Sequence, residues 1–159
     1  MISKIQYISK LTKEYSPINT NKIDTAIIAT VDDEYYALDS LPVNWNNVRI
    51  PCDPLIYSKG TLQNGKNILK VKLPEMGMSA ASHVTTKIIE LFEPDSIVMV
   101  GICGGNKDEV NLGDVVVADR TWDYGSGKIK SGEDGKITFS ALPNQISIDA
   151  NLRSDIERN

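Results

Sequence analysis

The sequence is short of the residues that most often carry chemistry alone. Its 159 residues include one histidine, His83, and two cysteines, Cys52 and Cys103. Their spacing matches no metal-ligand or CxxC pattern, which argues against a zinc site and against a disulfide scaffold. A Ser-His-Asp triad would have to use His83. Long apolar runs are missing as well. The longest lies near Ser96–Gly101, far below the ~20 residues of a membrane span. Met1 to Tyr15 carries charges throughout and lacks the apolar stretch and cleavage site of a signal peptide. There is no basic excess: 17 Lys and Arg against 21 Asp and Glu give a formal charge of −4. No basic face or stripe is visible, so nucleic acid is set aside. These absences point to a reduced, cytoplasmic protein without a membrane segment, and nothing in them indicates a metal or cofactor.

What is present is ordinary for a globular domain. Apolar residues make up 41% and charged residues 24%, and the length suits one domain with a real core. Ile2, Ile5, Ile8 and Leu11 recur every third position, which predicts an amphipathic N-terminal helix over about Ile2–Glu14. With its linker it forms a segment over 1–22 that precedes the main domain, 23–159. Thr25–Val31 is a short β-branched run of the kind that suits a strand covered on both faces. Asp32, Asp33 and Glu34 follow and fit a first helical turn, where carboxylates complement the helix dipole. Leu55–Leu62 and Ile68–Leu73 flank Asn64-Gly65 and predict a hairpin. Gly77-Met78-Ser79 opens a helix over about Ser79–Phe92, with Ser79 or its neighbour as cap. Ile97–Val100 and Asp114–Ala118 read as further strands. Trp122–Ile129 and Lys136–Ser140 are placed to pair, and Ile146–Arg158 is predicted as a final helix. Strands alternating with helices give an α/β class, three-layer αβα around a mixed, mostly parallel central sheet.

In open α/β sheets ligands bind beyond the carboxyl ends of the strands. Glu34, Gly77 and the Gly101–Gly105 segment all lie at such turns, which suggests one shared pocket. Gly101-Ile102-Cys103-Gly104-Gly105 lets backbone N–H groups approach a ligand, as a phosphate or ribose cradle would. It matches neither GxxxxGK[ST] nor GxGxxG, and a tight strand exit explains it equally well. Glu34 can orient a water or sugar hydroxyl, or can simply serve its helix N-terminus. His83 reads as an ordinary helix residue. Nothing near Cys103 in sequence would activate its thiol. Trp122 could stack on a base or pack a strand.

Together these segments resemble the nucleoside phosphorylase and nucleosidase superfamily, nearest to methylthioadenosine/S-adenosylhomocysteine nucleosidases. Three stretches carry the likeness: Ile27-Ile-Ala-Thr-Val-Asp-Asp-Glu34, Glu75-Met-Gly-Met-Ser-Ala-Ala81, and Ile97-Val-Met-Val-Gly-Ile-Cys-Gly-Gly105 followed by Leu112-Gly-Asp-Val-Val-Val-Ala-Asp119. The likeness covers about Thr25 to Lys130. It implies cleavage of the N-glycosidic bond of a purine nucleoside-type substrate through an oxocarbenium-like transition state. By the resemblance, Glu34 orients the attacking water. Thr30 and Val31 line the ribose side, Met76 and Gly77 contact ribose or nucleophile, and Gly101, Ile102, Cys103 and Gly104 form the turn beneath the sugar and base.

The turn Val31-Asp-Asp-Glu34 replaces the Gly-Asp-Pro phosphate turn of the phosphorylases, and Met99 stands where bacterial purine nucleoside phosphorylases place a phosphate-binding arginine. Both favour water over phosphate, with phosphorolysis as an alternative. The family's later Met-Glu pair and its strand-linked Ser-Asp, whose aspartate protonates the base, have no match after Lys130. Ser154-Asp155 lies in a helix-like context. The expectation is therefore a domain incomplete at its C-terminus, or else a catalytically incomplete module that binds a nucleoside or nucleotide. The family's oligomers, with a neighbour-facing stretch like Trp122–Lys130, imply a homo-oligomer.

Overall fold

The computed structural model describes residues 22–131, 135–142 and 144–158. The expected N-terminal helix lies outside them. The described chain forms two compact units, dividing between Gly104 and Gly105.

The first unit is built on a five-stranded sheet. Its elements are β1 (Thr25–Ala29), helix α1 (Asp32–Ala37) continued by a 3-10 turn (Leu38–Ser40), β2 (Asn46–Arg49), β3 (Ile56–Thr61), β4 (Asn67–Lys72), helix α2 (Met78–Phe92) and β5 (Ser96–Met99). The strand order is β2-β3-β4-β1-β5. β1 lies parallel to both β4 and β5, while β3 runs antiparallel to β2 and β4. Four strands thus point one way and β3 the other, a mixed and mostly parallel sheet flanked by helices. The β3–β4 hairpin turns at Asn64-Gly65, with Gly65 at φ 82°, a backbone that glycine adopts without strain.

The core follows from side-chain periodicity. In α2, Ala80, Val84, Ile88 and Phe92 recur every fourth residue and are buried as one stripe. They pack on the sheet face that carries Ala26, Ile28, Tyr57, Leu69 and Val71. Each large apolar side chain so buried contributes about 1.5–3 kcal/mol. The helix stops at Glu93, which takes a left-handed conformation (φ 44°) and donates its N–H to Ile89 O, and Pro94 follows. The start of α2 differs from expectation. It begins at Met78, and Gly77 is its N-cap without any side-chain cap, so Ser79 falls inside the first turn.

The second unit holds two small ribbons, β6 (Arg120–Thr121) with β9 (Ile146–Ser147) and β7 (Gly127–Ser131) with β8 (Ile137–Ala141), and helix α3 (Ala150–Arg158). Three expectations change here. Asp114–Ala118 is irregular rather than a strand. Its valines are exposed (Val115 89%), and a β-branched run becomes a strand only where a neighbour supplies the ladder. The segment from Trp122 to Ser126 turns instead of pairing, because the Asp123 carboxylate accepts the Gly125 N–H at 2.9 Å and Ser126 N donates to Asp123 O at 3.2 Å. The last helix starts at Ala150, not Ile146, because the Asp149 carboxylate accepts the N–H groups of Asn151 and Leu152 and caps it there. Among the described residues no helix is long and apolar enough to cross a membrane.

Candidate active site

Three parallel strands of the first unit end at one edge of the sheet. Ala29 of β1 lies opposite Lys72 of β4, and Ile28 lies opposite Met99 of β5. The chain therefore leaves this edge three times, through Thr30–Val31, Leu73–Gly77 and Val100–Gly104. The edge is where an α/β sheet offers a ligand both backbone groups and helix N-termini.

Glu34 joins two of these exits. As the third residue of α1 it folds back over the helix start, and its Oε2 accepts the N–H groups of Thr30 at 2.9 Å and Val31 at 3.1 Å. This is the return half of a capping box; Val31, the N-cap, has no side-chain acceptor for the other half. The second oxygen, Oε1, accepts the Ile102 N–H at 2.9 Å. One carboxylate thus ties the acidic turn after β1 to the glycine turn after β5. The helix-capping reading and the site reading of Glu34 describe the same set of hydrogen bonds.

The glycine turn is shaped by this tie. A Cβ on Gly101 would stand 2.8 Å from Oε1 of Glu34, inside van der Waals contact. Gly101 is therefore where the carboxylate needs room, and its φ is not positive. Gly77 is glycine for another reason: its φ of 121° is strained for any other residue, while the space around its Cβ position is open.

Three backbone N–H donors hold the Glu34 carboxyl below the ordinary carboxylate range. The Ile102 N–H acts most strongly, then those of Thr30 and Val31, against a smaller opposing effect of burial. The group is thus an anion at neutral pH. A carboxylate has about four acceptor positions. Two on Oε2 and one on Oε1 are filled, which leaves one on Oε1 for a water or hydroxyl.

The structure brings Thr30, Val31, Glu34, Gly101 and Ile102 together. Cys103 and Gly104 continue the same turn and are exposed. Met76, 75% exposed, and Gly77 reach the same edge on the third exit. His83 is exposed on α2, and Cys103 is a free thiol. Among the described residues no group of three or more His, Cys, Asp or Glu is placed to hold a metal. Two features of the neighbouring strand β4 have no counterpart in the sequence reading. Lys72, the last residue of β4, pairs with Asp32 at 2.6 Å, and Lys70 is buried two positions earlier. The alternation of Lys70 and Lys72 with Leu69 and Val71 was the available signal, since alternate strand residues share a face.

The sequence profile of the phosphorylase superfamily matches residues 22–159. An uncharacterized protein, y4jS, of Sinorhizobium fredii is 36% identical over 165 residues, spanning 96% of this chain and 40% of that protein. A death domain-containing ATP nucleosidase of Amphimedon queenslandica is 38% identical over 86 residues, 52% of this chain and 16% of that protein. The fold is similar to that of the 5'-methylthioadenosine/S-adenosylhomocysteine nucleosidase of Helicobacter pylori, with a TM-score of 0.64 and 17% identity over 86% of this chain and 57% of that one. The chain spans less than two thirds of the length of each of these proteins. With the profile match running through both the acidic turn and the glycine turn, the chain belongs to the phosphorylase superfamily.

Proposed function

We propose that this chain supplies the ribose-binding and water-orienting half of a nucleosidase site, one that hydrolyses the N-glycosidic bond of a purine nucleoside or nucleotide. The observation that carries the reading is the Glu34 carboxylate, held at the glycine turn by three N–H donors with one acceptor position open. Two relatives with nucleosidase names, one for ATP and one for 5'-methylthioadenosine/S-adenosylhomocysteine, support the substrate class.

The chemistry follows from charge. As the glycosidic bond breaks, positive charge grows on the sugar ring. A fixed anion below the ring stabilises that charge, and its effect is greatest in the transition state. The same carboxylate accepts a hydrogen bond from water and aims the water oxygen at the anomeric carbon. Because its donors keep Glu34 a weak base, it takes the water proton only as the new C–O bond forms and the water becomes acidic. The departing base keeps the electron pair of the broken C–N bond and takes its proton from a donor outside this half of the site. Thr30 and Val31 fix the carboxylate through their N–H groups. Met76, Gly77 and the Gly101–Gly104 turn, with Ile102 and Cys103, would meet the ribose and base.

An anionic carboxylate at this turn disfavours phosphate as the nucleophile, since two anions would share the space. Met99 at the end of β5 offers a phosphate no charge-assisted donor. The test is a product assay on the complete gene product with a panel of nucleosides and nucleotides, with and without phosphate. Release of free base and ribose without phosphate is the expected result. Turnover only with phosphate would overturn the hydrolytic reading. Glu34→Gln should lower kcat by about 10²–10⁴-fold while ligand binding by calorimetry stays within a few-fold. Unchanged turnover would remove Glu34 from the mechanism. The reading carries with it a cytoplasmic homo-oligomer, and sedimentation of the complete protein as a monomer would contradict that part.

A further inference from the structure

The first unit contains a second concave site that the nucleosidase reading does not use. It is a groove of about 560 Å3 on the sheet face opposite α2, walled by α1 and its 3-10 turn, the Trp45 loop and strands β3 and β4. None of Thr30, Val31, Glu34, Gly77 or Gly101–Gly104 lines it. α1 presents Asp32, Tyr35 and Tyr36 to the groove, the 3-10 turn presents Asp39, and Glu34 turns to the glycine loop instead.

Two features of the floor are costly unless something uses them. Lys70 sits in β4 and is only 2% exposed. A lysine is rarely buried so fully, and a buried ion pair is seldom worth more than apolar packing of the same volume. Its ammonium lies 4.2 Å from the centre of the Tyr35 ring and 4.7 Å from that of Trp45. The indole N–H of Trp45 is also buried, without a hydrogen-bond partner among the described residues. Around these donors the polar groups are organised: Tyr35 Oη is 2.8 Å from Ser58 Oγ, which donates to Asn47 Oδ1 at 2.7 Å. The rest of the lining is the Lys72–Asp32 ion pair together with Tyr36, Leu55, Ile56, Leu73 and two prolines.

The occupant's chemistry can be read from what Lys70 now holds. Its ammonium donates to a carboxylate, that of Asp39, and at 3.4 Å to Tyr35 O. Asp39 is half exposed at the rim, at 50%, and can turn to solvent. It stands in for an anion entering from outside. We propose that the groove is a binding site for a small aromatic carboxylate, which displaces Asp39 from Lys70, takes the Trp45 N–H, and lays its ring against Tyr35, Tyr36 and Ile56. The volume suits such a ligand, since small-molecule pockets span ~300–1,000 Å3. This inference does not rest on the nucleosidase reading, and the two can fail separately.

The test uses the full chain labelled with 15N and follows its two indole N–H signals, with Trp45→Phe to assign them. Benzoate and 2-naphthoate are titrated, with benzamide as the neutral counterpart. The expected result is a saturable shift of the Trp45 signal but not of Trp122, with benzamide at least tenfold weaker because it brings no charge to Lys70 (~1.4 kcal/mol per tenfold). Asp39→Asn removes the resident competitor and should tighten 2-naphthoate by on the order of tenfold. Lys70→Met should abolish the shift. Should Lys70→Met fail to fold, the exposed Asp39→Asn substitution still decides. No shift with either acid, equal binding of benzamide, or unchanged affinity in Asp39→Asn would each overturn the proposal and leave the buried lysine a structural ion pair.

Discussion

Replacing Gly101 by alanine isolates the contact between the glycine turn and Glu34. The backbone tolerates alanine there, because φ is not positive, so the effect is purely steric. The added Cβ would lie 2.8 Å from Oε1, 3.3 Å from Cδ and 3.6 Å from Oε2. Oε1 must retreat by roughly half an ångström to reach ordinary contact. That stretches its bond to the Ile102 N–H from 2.9 Å to the limit of a hydrogen bond. Oε2 keeps its two bonds inside the α1 turn, so the helix start survives. What changes is where the carboxylate stands over the ring. A 1 Å misplacement of a catalytic group can cost ~10²-fold, so half that distance should lower kcat/KM by about tenfold. The assay is steady-state base release by the complete protein, repeated in a Glu34→Ala background. There the same Gly101→Ala change should cost little more, because both act through one carboxylate. Wild-type turnover in Gly101→Ala, or a full tenfold loss in the Glu34→Ala background, would refute this account of the site.

Other expectations concern the scaffold. Asp53 accepts the Leu55 N–H, the buried Tyr57 hydroxyl and the Lys87 ammonium at 3.0, 3.0 and 2.8 Å. Asp53→Ala should destabilise the protein by about 2–4 kcal/mol in urea unfolding, since it orphans the Tyr57 hydroxyl and breaks a largely buried pair. Burial pushes the Asp53 carboxyl up, but Lys87, the Leu55 N–H and Tyr57 together bring it below its ordinary value. A lowered folded-state value means stability that is present above the unfolded value of ~3.9 and is lost as pH falls through the folded one. Wild type should therefore lose stability more steeply than Asp53→Asn below about pH 4, and parallel acid melts would show the idea to be wrong. Ile88→Ala, in the centre of the α2 stripe, should cost about 2–5 kcal/mol by calorimetry. A loss below 1 kcal/mol would mean that α2 does not seal this sheet face.

Much of the first unit was legible because its signals are local. An apolar run followed by three acids marks β1 and α1; Asn64-Gly65 marks the hairpin; Gly77-Met78-Ser79 marks the start of α2. The second unit was read less well, and Asp114–Ala118 shows why. Its composition is that of a strand, but strand formation needs a partner's hydrogen bonds, which composition does not reveal. The helix expected over 146–158 starts only at Ala150, because the Asp149 carboxylate caps it there. β2 went unseen because Asn46–Arg49 is polar and gains its place only by pairing with β3.

The amino-acid sequence by itself determined which residues could do chemistry, namely one carboxylate after the first strand and a glycine turn after a later one. It did so because turns and helix starts demand particular side chains at short range. Only the tertiary structure decided that Glu34 and Ile102, 68 positions apart, share a hydrogen bond, because parallel pairing of β1 with β5 carries both turns to one sheet edge. It also decided that Lys70 is buried between two aromatic rings, a placement set by strand register and by how α1 and the Trp45 loop fold over the sheet. Neither can be found in residues that are neighbours along the chain.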